Sequence, residues 1–286
     1  MIGLVVGLGM GNLYVQELAS MCSSVDTVDV DKNKNPTYLT AAQLRCRYDI
    51  AVICTPNWTH ESIAREIADK CDIVLIEKPG VENSKAWRNL VRDFPRTRFM
   101  MIKNNQYRDA IEHFKELADK SKSMQVIWSN NNRIPYPGGW FTNRKLSFGG
   151  VSRDLMPHLL SYYCVLNDHA AGVKVLSKSE QHHNLESIKS TDYGIINPNG
   201  VYDVDDFCEI RFKNNNKDWS LIADWDNKTN SELFIQFDNT RFDLGLCPET
   251  AYKKMIETAV QNLNNDSFWL EQLNQDIWIQ KQLEAL

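Results

Sequence analysis

The chain has 286 residues, 43% hydrophobic and 24% charged, with 13 Gly and 9 Pro, an ordinary globular composition with room for two domain cores. Its 32 basic against 37 acidic residues leave a net charge of −5 with no basic block to follow a phosphate backbone, so small molecules rather than nucleic acid are the expected partners. Uninterrupted apolar runs, such as 51–54 and 73–76, fall far short of the roughly 18 residues that cross a bilayer, so no membrane contact is expected. Lys32 is the first basic residue, which leaves a secretory leader without its charged start, and a cytoplasmic chain is expected. Seven cysteines are scattered without a CxxC pair or zinc-like Cys/His spacing, which predicts reduced core thiols and no metal site.

The first hundred residues alternate short β-rich runs with helix-like segments, the pattern of a parallel sheet covered by helices. Strands are predicted at 2–6, 25–30, 50–54, 73–76 and 99–102, with helices over 12–21, 61–68 and 84–91. A doubly wound domain thus occupies 1–103. Beyond it come a helix at 109–119, a strand at 124–128, a Pro/Gly loop at 134–148 and a helix at 154–166. Strand-like runs then dominate at 173–176, 207–212, 219–225, 233–237 and 241–244, before helices at 251–263 and 267–284. Asparagine runs, including 214–216, mark turns. The expectation is an α/β chain whose second domain, 104–286, is α+β with a largely antiparallel open sheet.

Gly7-Leu8-Gly9-Met10-Gly11-Asn12 closes the first strand and opens a helix, the context in which a glycine loop cradles a dinucleotide. Gly7 permits a tight turn, Gly9 admits a pyrophosphate, and the free N–H groups at the helix start hold the anion. Asn12 stands where a small third residue is expected. Asp29, about 20 residues on, is suited to the adenosine ribose hydroxyls. Its charge favours NAD, although Lys32 and Lys34 keep NADP open. Two later strands end in Thr55-Pro56-Asn57-Trp58-Thr59-His60 and in Glu77-Lys78-Pro79-Gly80, at the sheet edge where ligands bind in such folds. The cofactor set is therefore Gly7, Gly9, Met10, Gly11, Asn12, Asp29, Thr55, Pro56, Asn57, His60 and Glu77. A third cluster, Gly149-Gly150-(x)3-Asp154-(x)3-His158, puts an acid and a histidine four apart at a helix start, where Asp154 could equally serve as an N-cap.

In order and spacing these motifs resemble the glucose-fructose oxidoreductase/inositol dehydrogenase/MocA family over roughly residues 1–166, with only a loose likeness at Val204-Asp205-Asp206 and beyond. The resemblance implies an N-terminal Rossmann domain and an enzyme moving hydride between NAD(P) and a secondary alcohol or ketone of a sugar, cyclitol or related polyol. It maps the catalytic group onto Lys78, Asp154 and His158. Oxidising an alcohol requires a base near the hydroxyl, a role that suits His158; Asp154 would orient the ring and Lys78 would hydrogen-bond the substrate oxygen. Asn105 and Trp140 join Lys78, Asp154 and His158 as substrate contacts. Departures exist: the glycine loop lacks its usual third glycine, Ser161 stands where many members carry an acid, and Tyr107-Arg108 disturbs the segment after Asn105. A cofactor-sensing regulator and a bilin-type reductase are the alternatives, and a homo-oligomer formed through the second sheet is expected.

Overall fold

The computed structural model describes residues 1–167, 174–213 and 217–286. The turn expected at 214–216, and Val173 at the start of an expected strand, lie outside the described residues. The chain divides into two compact units, Met1–Ile102 with Tyr252–Lys281, and Lys103–Ala251 with Gln282–Leu286. No helix among the described residues is long and apolar enough to cross a membrane.

In the first unit, β1 (Ile2–Val6), β2 (Ser24–Val28), β3 (Tyr48–Ile53), β4 (Cys71–Ile76) and β5 (Arg98–Met101) form a sheet in the order β2-β1-β3-β4-β5, parallel throughout. Its central strands are buried almost without interruption, which explains their unbroken Val/Ile/Leu character: helices α1 (Gly11–Ala19), α2 (His60–Ile67) and α3 (Ser84–Asp93) connect them, so neither face needs polar residues. The chain leaves β1 in one direction and β3 in the other, which opens a crevice beyond their carboxyl ends. Strand β2 ends at Val28, two residues before the sequence predicts. There the Asp29 carboxylate captures the Asp31 N–H at 2.9 Å and turns the chain away from the sheet.

The second unit contains α4 (Ile111–Lys120) and β6 (Ser123–Ser129), then α5 (Arg144–Ser147), α6 (Val151–Asp154) and α7 (Met156–Leu166). Strands β7 (Lys174–Glu180), β8 (Phe207–Lys213), β9 (Asp218–Asp224), β10 (Glu232–Phe237) and β11 (Thr240–Asp243) join β6 in the order β11-β10-β6-β9-β8-β7. Neighbours are antiparallel except β6 and β9. Alternation decides the faces: Trp219, Leu221 and Ala223 point inward with Cys208, Ile210 and Phe212, while Asp218, Ser220 and Arg211 face out. Helix α7 covers the inner face, stacking Tyr163 on Phe212 at 4.0 Å and edge-on to Trp219 at 5.3 Å.

The single helix expected over 154–166 is instead two, α6 and α7, meeting at Leu155. Pro157 has no N–H to continue the earlier turn, so the helix restarts with proline in its first turn. The last helices, α8 (Glu249–Gln261) and α9 (Asp266–Glu284), follow the sequence prediction in kind, but residues 252–281 belong to the first compact unit, whereas chain order alone groups them with the second domain. The fully buried Asp276 accepts the Met101 N–H at 3.0 Å, and Gln280 donates to the Pro79 carbonyl. Amphipathic periodicity identifies such helices but not the surface they cover.

Candidate active site

The glycine loop is built from three different demands. Gly7 has φ +93°, and a Cβ there would lie 2.7 Å from the Cys54 carbonyl oxygen, so β1 can turn beside β3 only with glycine. A Cβ on Gly11 would sit 2.9 Å from Val5, so this residue supplies the close helix-to-strand packing expected one position later; Asn12 donates its amide to the Leu8 carbonyl at 3.2 Å. Gly9 faces open space, with nothing within 4 Å of a Cβ. Among the described residues the N–H groups of residues 9–12 meet no acceptor, and no acidic side chain occupies the first turn of α1. Open space and unpaired donors at a helix start fit an anionic group such as a pyrophosphate.

Asp29 lies under this loop, 9% exposed. Its Oδ2 accepts the Leu8 N–H at 2.7 Å and meets Lys34 Nζ at 2.9 Å. Burial alone raises a carboxyl, but here the Asp31 and Leu8 N–H groups and Lys34 outweigh it and hold Asp29 below the usual carboxylate range. Lys34, rather than Lys32, is thus the lysine that tempers its charge.

The 55–60 and 77–80 segments are tied to each other. His60 is fully buried, with Nδ1 2.6 Å from the Gly80 carbonyl and Nε2 2.7 Å from that of Thr55. Burial is the largest cause holding its pKa below the ordinary histidine value. The ring therefore braces two strand-end loops instead of facing a ligand. Thr59 donates to Thr55 Oγ1 at 2.7 Å. Asn57 and Pro56 are half-buried in the same loop, and Met10 is 60% exposed beside Gly9. Glu77 accepts the Tyr14 hydroxyl at 2.7 Å and the Lys78 N–H at 3.0 Å, which fixes the backbone from which half-buried Lys78 projects. Burial, then the Glu77 charge, push Tyr14 well above the usual phenol value, so it remains a donor.

In the second unit, Asp154 ends α6 and His158 lies in the first turn of α7, both half-buried. Leu155, not Asp154, is the N-cap of α7, which removes the capping explanation for this acid. Asp154 Oδ2 instead accepts the indole N–H of fully buried Trp225 at 2.9 Å. The segment before it is held by Asp205, 3% exposed, whose carboxylate accepts the Gly150 N–H at 3.0 Å and the Ser152 N–H at 2.8 Å. A Cβ on Gly150 would lie 1.8 Å from the Asp205 carbonyl oxygen, so glycine there is a steric requirement. Asn105, 3% exposed, places Nδ2 3.3 Å from His158 Nδ1, and the Trp128 ring lies 5.4 Å from the imidazole. The Ser161 hydroxyl donates to the His158 carbonyl at 2.6 Å. Trp140 stacks on Phe141 at 3.8 Å in an aromatic group with Tyr136 and Tyr193.

Tyr14 in the first unit, and Asp205 and Trp225 in the second, each hold an expected site segment within their own unit, and sequence reasoning does not find them. Trp225, one residue past β9, is signalled only as the last residue of the strand expected over 219–225. His182 and His183, without a role in the sequence, cluster on buried Asp206, which accepts both of their N–H groups at 2.8 Å. No group of three or more His, Cys, Asp or Glu among the described residues is placed to hold a metal. All seven cysteines are free thiols; three are buried, and Cys46 is exposed rather than in the core.

No family model matches the chain. An Amycolatopsis mediterranei (strain S699) protein named as a UDP-kanosamine synthase oxidoreductase subunit is 29% identical over 147 residues, 49% of this chain and 41% of that one, so the match spans less than half of the relative. Among solved structures, GenD2 from gentamicin A biosynthesis, crystallised with NAD, superposes with a TM-score of 0.77 at 18% identity, covering 100% of this chain and 92% of GenD2. A myo-inositol dehydrogenase from Corynebacterium glutamicum gives 0.72 at 12% identity, covering 100% and 95%. The parallel-sheet unit followed by a mixed, mostly antiparallel sheet is therefore the fold of GenD2 and this inositol dehydrogenase, and the fold that the motif resemblance implies.

Proposed function

We propose that the chain belongs to the glucose-fructose oxidoreductase/inositol dehydrogenase/MocA family and moves hydride between NAD, with NADP open, and a secondary alcohol or ketone of a sugar, cyclitol or related polyol. The observation that carries this is the glycine loop: an open Gly9 and unpaired N–H groups at a helix start, beyond the β1/β3 crevice, with the Asp29 carboxylate beneath. The names of GenD2, the inositol dehydrogenase and the Amycolatopsis relative support the same chemistry.

In this reading residues 1–103 bind the nucleotide, with 252–281 packed into the same unit, and the rest of 104–286 binds substrate and pairs with a second copy of a cytoplasmic enzyme. The loop and residues 55–57 hold the cofactor, while His60 and Glu77 shape the loops around it. Bound nicotinamide supplies the hydride acceptor or donor. Lys78, Asp154 and His158 are the catalytic group that the motif resemblance implies for the substrate oxygen and its proton, and Asp154 is fixed by Trp225. Asn105 and Trp140 complete the substrate contacts. Calorimetry and nicotinamide fluorescence test cofactor binding, a polyol and sugar panel followed for NADH tests turnover, and light scattering tests pairing. Binding of neither NAD nor NADP overturns the proposal.

A further inference from the structure

A hydrogen-bond relay within the second unit reaches His158 through Asn105. Asn105 cannot present its amide either way round. Its Oδ1 accepts the Arg108 Nε–H at 2.9 Å and the Tyr162 hydroxyl at 3.3 Å. A guanidinium only donates, so a flipped amide would put two donors face to face. Arg108 is itself anchored, donating through NH2 to the Gly245 carbonyl at 2.7 Å. Burial, the largest cause, keeps the Tyr162 phenol protonated by pushing its pKa up, so it too acts as a donor. With Oδ1 fixed toward these two groups, Asn105 Nδ2 is the atom that faces His158 Nδ1, 3.3 Å away.

We propose that Arg108 and Asn105 are positioning residues that hold neutral His158 with its proton on Nε2. Nδ1 accepts from Asn105, and a proton on Nδ1 would meet the Asn105 amide hydrogens. The imidazole then offers a donor at Nε2 and has no lone pair there. This reverses the base role that the sequence suggests for His158. The consequence rests on the dehydrogenase reading. There, bound nicotinamide would take the C–H electron pair as hydride, and the hydroxyl proton would pass to a base other than His158, a basic side chain or water. His158 Nε2–H meanwhile donates to the oxygen and stabilises its developing charge. The relay depends on Arg108, in the segment where this chain departs from the family pattern.

The tautomer is read directly in the unliganded protein. With 15N-labelled histidine, long-range proton–nitrogen spectra at a pH where the ring is neutral distinguish the protonated ring nitrogen from the bare one; loss of a signal set in His158→Gln assigns it among the six histidines. The expected result is a bare Nδ1 and a protonated Nε2. Asn105→Asp places a carboxylate beside Nδ1 and should exchange the two, while Arg108→Leu frees the amide to flip and should give a mixture. A wild-type spectrum with the proton on Nδ1 overturns the proposal whether or not the variants fold, as does a pattern that Asn105→Asp leaves unchanged. Neither result touches nucleotide binding, and failure to bind NAD or NADP leaves the spectrum fully interpretable.

Discussion

Removing the Asp29 side chain should weaken both the fold of the first unit and nucleotide binding. The carboxylate accepts two backbone N–H groups, from Leu8 at 2.7 Å and Asp31 at 2.9 Å, and pairs with Lys34 at 2.9 Å. Hydrogen bonds to a charged group contribute about 1.5–3 kcal/mol, and a buried donor left unpaired costs about 1–3 kcal/mol. Water can replace Asp29 at the part-exposed Asp31 N–H but less readily at Leu8, which is buried; Lys34 is 40% exposed and its pair adds less than about 1 kcal/mol. Asp29→Ala should therefore cost about 2–4 kcal/mol, a fall in Tm on the order of 10 °C. Asp29→Asn, which keeps one acceptor, should fall between Ala and the parent.

Because Asp29 is more acidic in the folded protein than in the unfolded chain, its contribution is present above the unfolded pKa of about 3.9 and is lost as pH falls through the folded value. The gap between parent and Asp29→Ala should close in acid. Urea denaturation without nucleotide, at pH 7 and below pH 4, measures this. Calorimetry of the same variant should show weaker NAD binding and less discrimination against NADP. An Asp29→Ala protein within about 0.5 kcal/mol of the parent, with unchanged NAD binding, would refute the reasoning.

Lys34→Ala removes the cation that tempers Asp29, so NADP binding should fall relative to NAD when both are titrated by fluorescence. Asp154→Asn keeps an oxygen able to accept the Trp225 indole N–H; its Tm should stay near the parent's while kcat on an identified substrate drops by about 10²-fold or more, and parental turnover would return Asp154 to a structural role. Gly150→Ala forces a Cβ into the Asp205 carbonyl and should destabilise the second unit by about 3 kcal/mol or more, read by thermal melting; a loss below about 1 kcal/mol would contradict the steric requirement.

Much of the fold is legible in the sequence because its strands carry their environment in their composition. A parallel strand covered on both faces must be apolar at every position, as at 50–53 and 73–76, and a half-covered strand must alternate, as β9 does from Trp219 to Ala223. The misses lie where a single partner overrides the local pattern. Asp29 ends β2 early through one side-chain-to-backbone bond, and Pro157 splits a periodic helix in two. The destination of the 252–281 segment depends on contacts about 175–200 positions away, such as Asp276 with Met101 and Gln280 with Pro79. No window of local sequence records them.

The candidate site divides along the same line. Gly7 is legible as a tight turn after a strand, and its φ of +93° beside a carbonyl bears this out, whereas the 1.8 Å approach that demands glycine at 150 appears only in the fold. Acids and histidines announce only that they can do chemistry. His60 and His158 look alike in the sequence, yet the first spends both ring nitrogens on loop carbonyls, while the second has Nδ1 fixed by Asn105. The distinction comes from residues that carry no chemical signature of their own: Trp225, inward because it is an even number of positions from Trp219, reaches Asp154, and Arg108 selects the amide face that Asn105 turns to His158. Reactive side chains can thus be nominated from sequence, but their protonation and orientation belong to partners that only the fold brings into contact.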